Sequence, residues 1–147
     1  MCVIVDANVA SRVFLSQDDP EYGALRRSLF GTKQPIARVA YGGKLTDEYL
    51  ASSKLRRILV AMKRAGRARL VADEAIERET RKIEKLCTSN DKHIIGLARA
   101  GGVRILCSDD RALCADFWNK ALVDKPIGRV YRHREHQKLL VRYCRGI

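Results

Sequence analysis

The chain has 147 residues, 46% of them hydrophobic, enough for one domain with a core of its own and too few for two. Its 29 Lys and Arg against 17 Asp and Glu give a formal charge of +12, which favours a polyanionic partner such as nucleic acid over an acidic small molecule. No apolar run approaches the roughly 20 residues that cross a membrane, and Met1 leads straight into a strand pattern without a basic region, apolar stretch and cleavage site, so a cytoplasmic protein is expected.

In chain order, Cys2 to Val5 is a short branched apolar run that reads as a strand buried on both faces. A helix or helical turn follows from Asn8 to Leu15, broken at Ser16-Gln17-Asp18-Asp19-Pro20, and a second helix runs from Glu21 to Phe30. Gly31 to Pro35 is turn-like, and Ile36 to Tyr41 reads as a strand closed by Gly42-Gly43. From Thr46 one helix carries Tyr49, Leu50, Leu55, Ile58, Leu59 and Met62 at helical spacing, with Lys54, Arg56, Arg57, Lys63 and Arg64 on the other face, until Gly66. That basic face either tracks a phosphate backbone or is simply solvated. Ala68 to Val71 is a weak strand, and Asp73 to Leu86 a charged helix with intrahelical ion pairs. Asp91 opens a helix packed through Ile94, Ile95, Leu97 and Ala98 and stopped at Gly101-Gly102. A strand from Val103 to Cys107, a helix from Arg111 to Leu122, a turn at Pro126-Ile127-Gly128, a short strand from Arg129 to Tyr131 and a basic helix from Glu135 to Cys144 complete the pattern. The five cysteines form an odd set with no C-x-x-C pair, which reads as reduced core thiols.

Two of the strands end in acids. Asp6 and Asn8 follow the first, and Ser108, Asp109 and Asp110 follow Val103 to Cys107. Glu48 stands after the Ile36–Tyr41 strand, and Asp91 heads its own helix. Asp and Asn at such places also accept hydrogen bonds from free helix N–H groups, so each singly can be a cap. Together they suit something else. In open α/β sheets the carboxyl ends of the strands line the ligand crevice, where converging carboxylates repel and have raised pKa values unless a cation joins them. Mg²⁺ or Mn²⁺ is such a cation, and one or two of these ions activate water against a phosphodiester.

Asp6-Ala7-Asn8 after an apolar strand, Glu48 on the next helix, Asp91 heading Ile94-Ile95-Gly96-Leu97-Ala98, and Ser108-Asp109-Asp110-x-x-Leu113 resemble the four acidic motifs of PIN-domain nucleases. The match covers roughly Cys2 to Phe117; each motif is loose, and their order and spacing together are the specific feature. The resemblance implies one PIN-like domain over residues 1–147, a three-layer α/β/α sandwich with a central, mostly parallel sheet. It also implies a Mg²⁺- or Mn²⁺-dependent endoribonuclease acting on single-stranded or structured RNA, as in the VapC-type toxins of toxin–antitoxin pairs. An antitoxin protein and a homodimer are the partners it suggests. Carried over residue by residue, Asp6 becomes a metal ligand, Asp91 a ligand or water-positioning base, and Asn8 a hydrogen-bonding support. Ser108 takes the hydroxyl position and Asp110 the principal acid, with Asp109 reaching metal through water. Glu48 is the second acid, with Glu79 the alternative because it too follows a strand-then-helix pattern.

Other chemistries fail on residue type. Haloacid-dehalogenase phosphatases need a second Asp where Asn8 stands, and no Gly-x-Gly-x-x-Gly or Walker-type loop follows any strand. His133, His136 and Cys144 read as tail residues rather than a zinc site. Arg129, Arg132, Arg134, Lys138 and Arg142 near them either hold RNA phosphates or serve solubility. Phe117 and Trp118 fit helix packing better than base stacking. Nothing readable senses a 2′-hydroxyl, so RNA and DNA stay open. A nuclease-like module that binds RNA or protein with little turnover is the rival class.

Overall fold

A computed structural model describes residues 1–124 and 127–144; Pro126 of the expected turn lies outside the described residues. Five strands, β1 (Val3–Val5), β2 (Val39–Tyr41), β3 (Ala68–Leu70), β4 (Ile105–Cys107) and β5 (Arg129–Val130), form one all-parallel sheet in the order β3-β2-β1-β4-β5. Eight α-helices flank it among the described residues: α1 (Ala7–Phe14), α2 (Gly23–Phe30), α3 (Gly43–Leu50), α4 (Ser53–Arg64), α5 (Asp73–Ile83), α6 (Lys92–Gly101), α7 (Arg111–Trp118) and α8 (Lys138–Tyr143), the last preceded by a 3-10 turn at Arg134–Gln137. The fold is α/β and compatible with the expected three-layer α/β/α sandwich. Parallel strands need crossover helices, and those helices cover both faces. Accordingly β1, β2 and β4 are buried along their whole length, while edge strand β3 exposes Arg69 and Leu70, which is why its sequence signal is faint.

The chain steps from β1 outward to β2 and β3, then crosses back to β4 on the other side of β1. β1 and β4 are therefore the pair at which the winding reverses, and ligands in such sheets bind beside that switch point. Their register, Val3 opposite Ile105 and Val5 opposite Cys107, brings Asp6 and Ser108 to the same height. The Asp6 N–H donates to Cys107 O at 2.8 Å, extending the ladder past the strand.

Close helix packing carries the other side of the site. A Cβ on Gly96 would sit 1.9 Å from Thr80 Oγ1 and 2.9 Å from Ile76 O, so only glycine lets α6 press directly on α5. At the end of β2 a Cβ on Gly42 would meet Val71 O at 2.6 Å, and the bare backbone turns there directly into α3.

Several sequence expectations need correction. The single helix from Thr46 to Gly66 is two, α3 and α4, because Ser52 starts a new helix by accepting the Leu55 N–H at 3.3 Å. The helix expected from Glu21 begins at Gly23, with the Glu21 and Tyr22 N–H groups donating to Asp19 Oδ1 at 2.9 and 3.1 Å. Helix α7 ends at Trp118 rather than Leu122, and Trp118 is 51% exposed beside a fully buried Phe117. Neighbouring residues on a helix point about 100° apart, so only one of this pair can face the sheet. Cys2 is not a reduced core thiol: it is disulfide-bonded to Cys144, whose Cα lies 5.4 Å away although 142 residues separate the two. Helix α8 returns the tail to the start of β1, a juxtaposition that spacing in the sequence does not encode. Cys87, Cys107 and Cys114 are free.

Candidate active site

Asp6 is the buried centre of the acidic edge, 5% exposed. Ser108 Oγ donates to Asp6 Oδ2 at 2.7 Å, and the Asp110 N–H donates to the same Ser108 Oγ at 3.0 Å. One hydroxyl thus joins the ends of β1 and β4. Burial raises the Asp6 pKa above the usual carboxylate range, and the nearby Asp91 and Glu48 charges push it further, against the pull of the Ser108 hydroxyl. Asp91 and Glu48 both act electrostatically on Asp6, and the Asp110 backbone N–H meets the Ser108 hydroxyl that Asp6 accepts.

Capping accounts for only part of this set. Asp110 is a true cap, its Oδ1 accepting the Leu113 N–H at 3.0 Å. Asp6 and Asp91 occupy N-cap positions, yet among the described residues neither side chain makes a capping hydrogen bond of the kind Asp110 makes; the Ala7 N–H beside Asp6 favours its charged form.

No family model matches this chain, and neither does any curated protein or solved structure. Its site is therefore read from its own geometry.

Glu48 is set by two contacts. Its neighbour Tyr49, fully buried, donates a hydrogen bond to Val5 O at the end of β1, which locks α3 against the strand that carries Asp6. His93 Nε2 lies 3.1 Å from Glu48 Oε1. Glu79 is occupied elsewhere: Lys82 Nζ reaches its Oε2 at 2.7 Å and Arg99 Nε its Oε1 at 3.2 Å, and the Lys82 ammonium, with Arg99, holds its carboxyl below the usual range. The structure places Glu48, and not Glu79, beside Asp6.

Asp91 is held at the crevice by its backbone. Its N–H donates to Ser89 Oγ at 2.9 Å, and the segment before it hangs on Asp116, a buried carboxylate on α7. Asp116 accepts the Thr88 N–H at 3.0 and 3.1 Å, the Thr88 hydroxyl at 2.9 Å and the Ser89 N–H at 2.9 Å. Sequence reading passed over Asp116, although an acid inside the apolar stripe of Leu113, Cys114 and Phe117 is the signal that marks it. His93 was passed over too; its partial burial and its partner on another helix, which set it apart from a surface histidine, are not visible in the sequence.

The remaining candidates lie further out. Asn8 is exposed on the first turn of α1 and, among the described residues, its side chain makes no hydrogen bond. Asp109 is exposed, 3.9 Å from Arg12 Nη1, and Arg12 also binds Asp19 at 3.0 Å. Among the described residues, no group of three or more His, Cys, Asp or Glu side chains is drawn together closely enough to hold a metal ion. The two free thiols next to the site, Cys107 and Cys114, are buried, and burial raises both pKa values, which leaves them unreactive.

Lys54, Arg56, Arg57, Lys63 and Arg64 all lie exposed on α4. In the tail, His133 and His136 stack with centroids 3.9 Å apart, and His136 Nδ1 accepts the Arg132 N–H at 2.9 Å. Arg134, Lys138 and Arg142 are exposed, and Arg129 and Arg132 are half-buried.

Proposed function

We propose that this protein is a divalent-metal-dependent endoribonuclease of PIN type. Its acids Asp6, Glu48, Asp91 and Asp110 would hold Mg²⁺ or Mn²⁺ and hydrolyse single-stranded RNA to 5′-phosphate ends. The observation that carries the reading is a buried Asp6 carboxylate whose pKa is raised by burial and by two neighbouring acids, at the switch point of the sheet. Such repulsion costs stability and suits a cation.

The donor set fits one of these ions. Mg²⁺ keeps several waters and takes only one or two carboxylates directly, so it does not need three acids closed around it, and the hard oxygens of Asp6 and its neighbours Glu48 and Asp91 are of the kind it takes. When bound, the ion supplies a water nucleophile at neutral pH and stabilises the leaving oxygen. The protein's own part is positioning. Ser108 fixes one oxygen of Asp6; capping fixes one oxygen of Asp110; Tyr49 and His93 steer Glu48. The exposed cations of α4 would bind phosphates without reading sequence.

The rival reading is a nuclease-like module that binds RNA or protein with little turnover. The test is cleavage of end-labelled single-stranded RNA and DNA by wild type and Asp6→Asn, with Mn²⁺, Mg²⁺ or EDTA. Metal-dependent cutting of RNA that disappears in the variant supports the nuclease; tight binding without cutting supports the module. A toxin role would show as growth arrest on expression that Asp6→Asn relieves, with an inhibitor protein that restores growth to the wild type.

A further inference from the structure

We propose that His93 is a positioning residue of the carboxylate site: its Nε2–H holds one oxygen of Glu48 and so presents the other to the divalent cation. The inference rests on the metal-dependent reading above. A carboxylate oxygen only accepts, so the 3.1 Å contact to Glu48 Oε1 requires the proton on Nε2. Among the described residues Glu48 Oε2 has no hydrogen-bond partner, so the contact sorts the two oxygens into one held and one free. Glutamate is long and Glu48 is 34% exposed; without a tether it samples many rotamers, and each must be given up on binding an ion.

His93 can serve as a fixed tether because it is itself fixed. It is 14% exposed and sits two residues after Asp91 on α6, the helix that Gly96 seats directly against Thr80 of α5. One rigid element therefore carries an acid of the site and the donor that orients a second acid on α3. Imidazole-to-carboxylate contacts of this kind, behind the ligands of an ion, set ligand orientation and typically change metal affinity by about 10–100-fold. With Glu48 partly solvated, the low end of that range applies.

His93 also lines a cavity of about 520 Å³ with Gly43, Lys44, Asp73 and Arg81. Its ring borders open space, so replacing it leaves no void in the core, and variants should fold.

The experiment is calorimetric titration of Mn²⁺ into wild type, His93→Phe, His93→Gln and Glu48→Gln, with thermal melts in EDTA as the control for folding. His93→Phe keeps a ring and loses the donor; His93→Gln keeps an amide donor. We expect Mn²⁺ affinity to fall about tenfold in His93→Phe and to be largely restored in His93→Gln, with unchanged melts in EDTA. Wild-type affinity in His93→Phe, in a protein whose affinity Glu48→Gln lowers, overturns the role of His93 and leaves the metal site standing. Failure of the wild type to bind Mn²⁺ overturns the site reading and, with it, this inference.

Discussion

Asp6→Asn should make the metal-free protein more stable while abolishing the proposed RNA cleavage. Asparagine keeps the shape and still accepts the Ser108 hydroxyl now 2.7 Å from Oδ2; what it removes is a charge held 5% exposed near Asp91 and Glu48. Single stabilising substitutions typically add about 0.5–2 kcal/mol, and for removal of this buried charge we take about 1 kcal/mol, or about 2–4 °C in Tm for a domain of this size. The pH dependence has a definite sign. Because the folded pKa of Asp6 lies above its unfolded value, the folded state binds more protons between the two, and wild-type stability falls as pH rises through that window. The variant loses this slope, so its advantage should vanish in acid, below the unfolded pKa, and be full above the folded one. Manganese should reverse the order: at a free concentration of one hundred times Kd it adds about 2.7 kcal/mol to the wild type and much less to the variant. Thermal melts of both proteins, in EDTA and in Mn²⁺, across acid to neutral pH, are the assay. A variant less stable than wild type in EDTA at neutral pH would refute the reasoning, since the Ser108 and Ala7 hydrogen bonds to the charged form would then outweigh its burial and the repulsion.

Three further outcomes follow from particular side chains. Asp116→Ala strips the acceptor from the Thr88 and Ser89 N–H groups and should cost about 1–3 kcal/mol in urea denaturation, with faster hydrogen exchange at residues 88–91. Gly96→Ala forces a methyl against Thr80 Oγ1 and Ile76 O, and should cost about 1–3 kcal/mol by overpacking, seen as a lowered urea midpoint with the same m-value. Lys54→Ala with Arg57→Ala removes two exposed cations from α4; RNA affinity should fall, and the slope of log K against log salt should flatten by about 0.7 for each phosphate of a single strand that the protein no longer neutralises. An unchanged slope would exclude these α4 cations from the proposed RNA contact.

Local chemistry written in the sequence determined the elements. The runs ending at Val5 and Cys107 are apolar throughout because both faces of β1 and β4 are covered, and that pattern reads directly. So does the stop of α6 at Gly102, which adopts the left-handed conformation there, and the acids stand out as charges at the ends of apolar segments. The short turn between α3 and α4 escaped because Tyr49, Leu50 and Leu55 keep helical spacing across it, and only the Ser52 cap marks the break.

Tertiary structure decided which of these pieces meet. Nothing local places β4 rather than β3 beside β1, and from that choice follows the Ser108–Asp6 bond across 102 residues; the packing of the helices puts Glu48 near Asp6 and Glu79 against Lys82 and Arg99. The same holds for His93 on Glu48, Asp116 under the Asp91 segment, and Cys2 against Cys144. Strands and helices are fixed by the periodicity of neighbouring residues, whereas a site is fixed by long-range pairing that buries the most apolar surface, and a single polar side chain adds too little to that burial to announce its partner in advance.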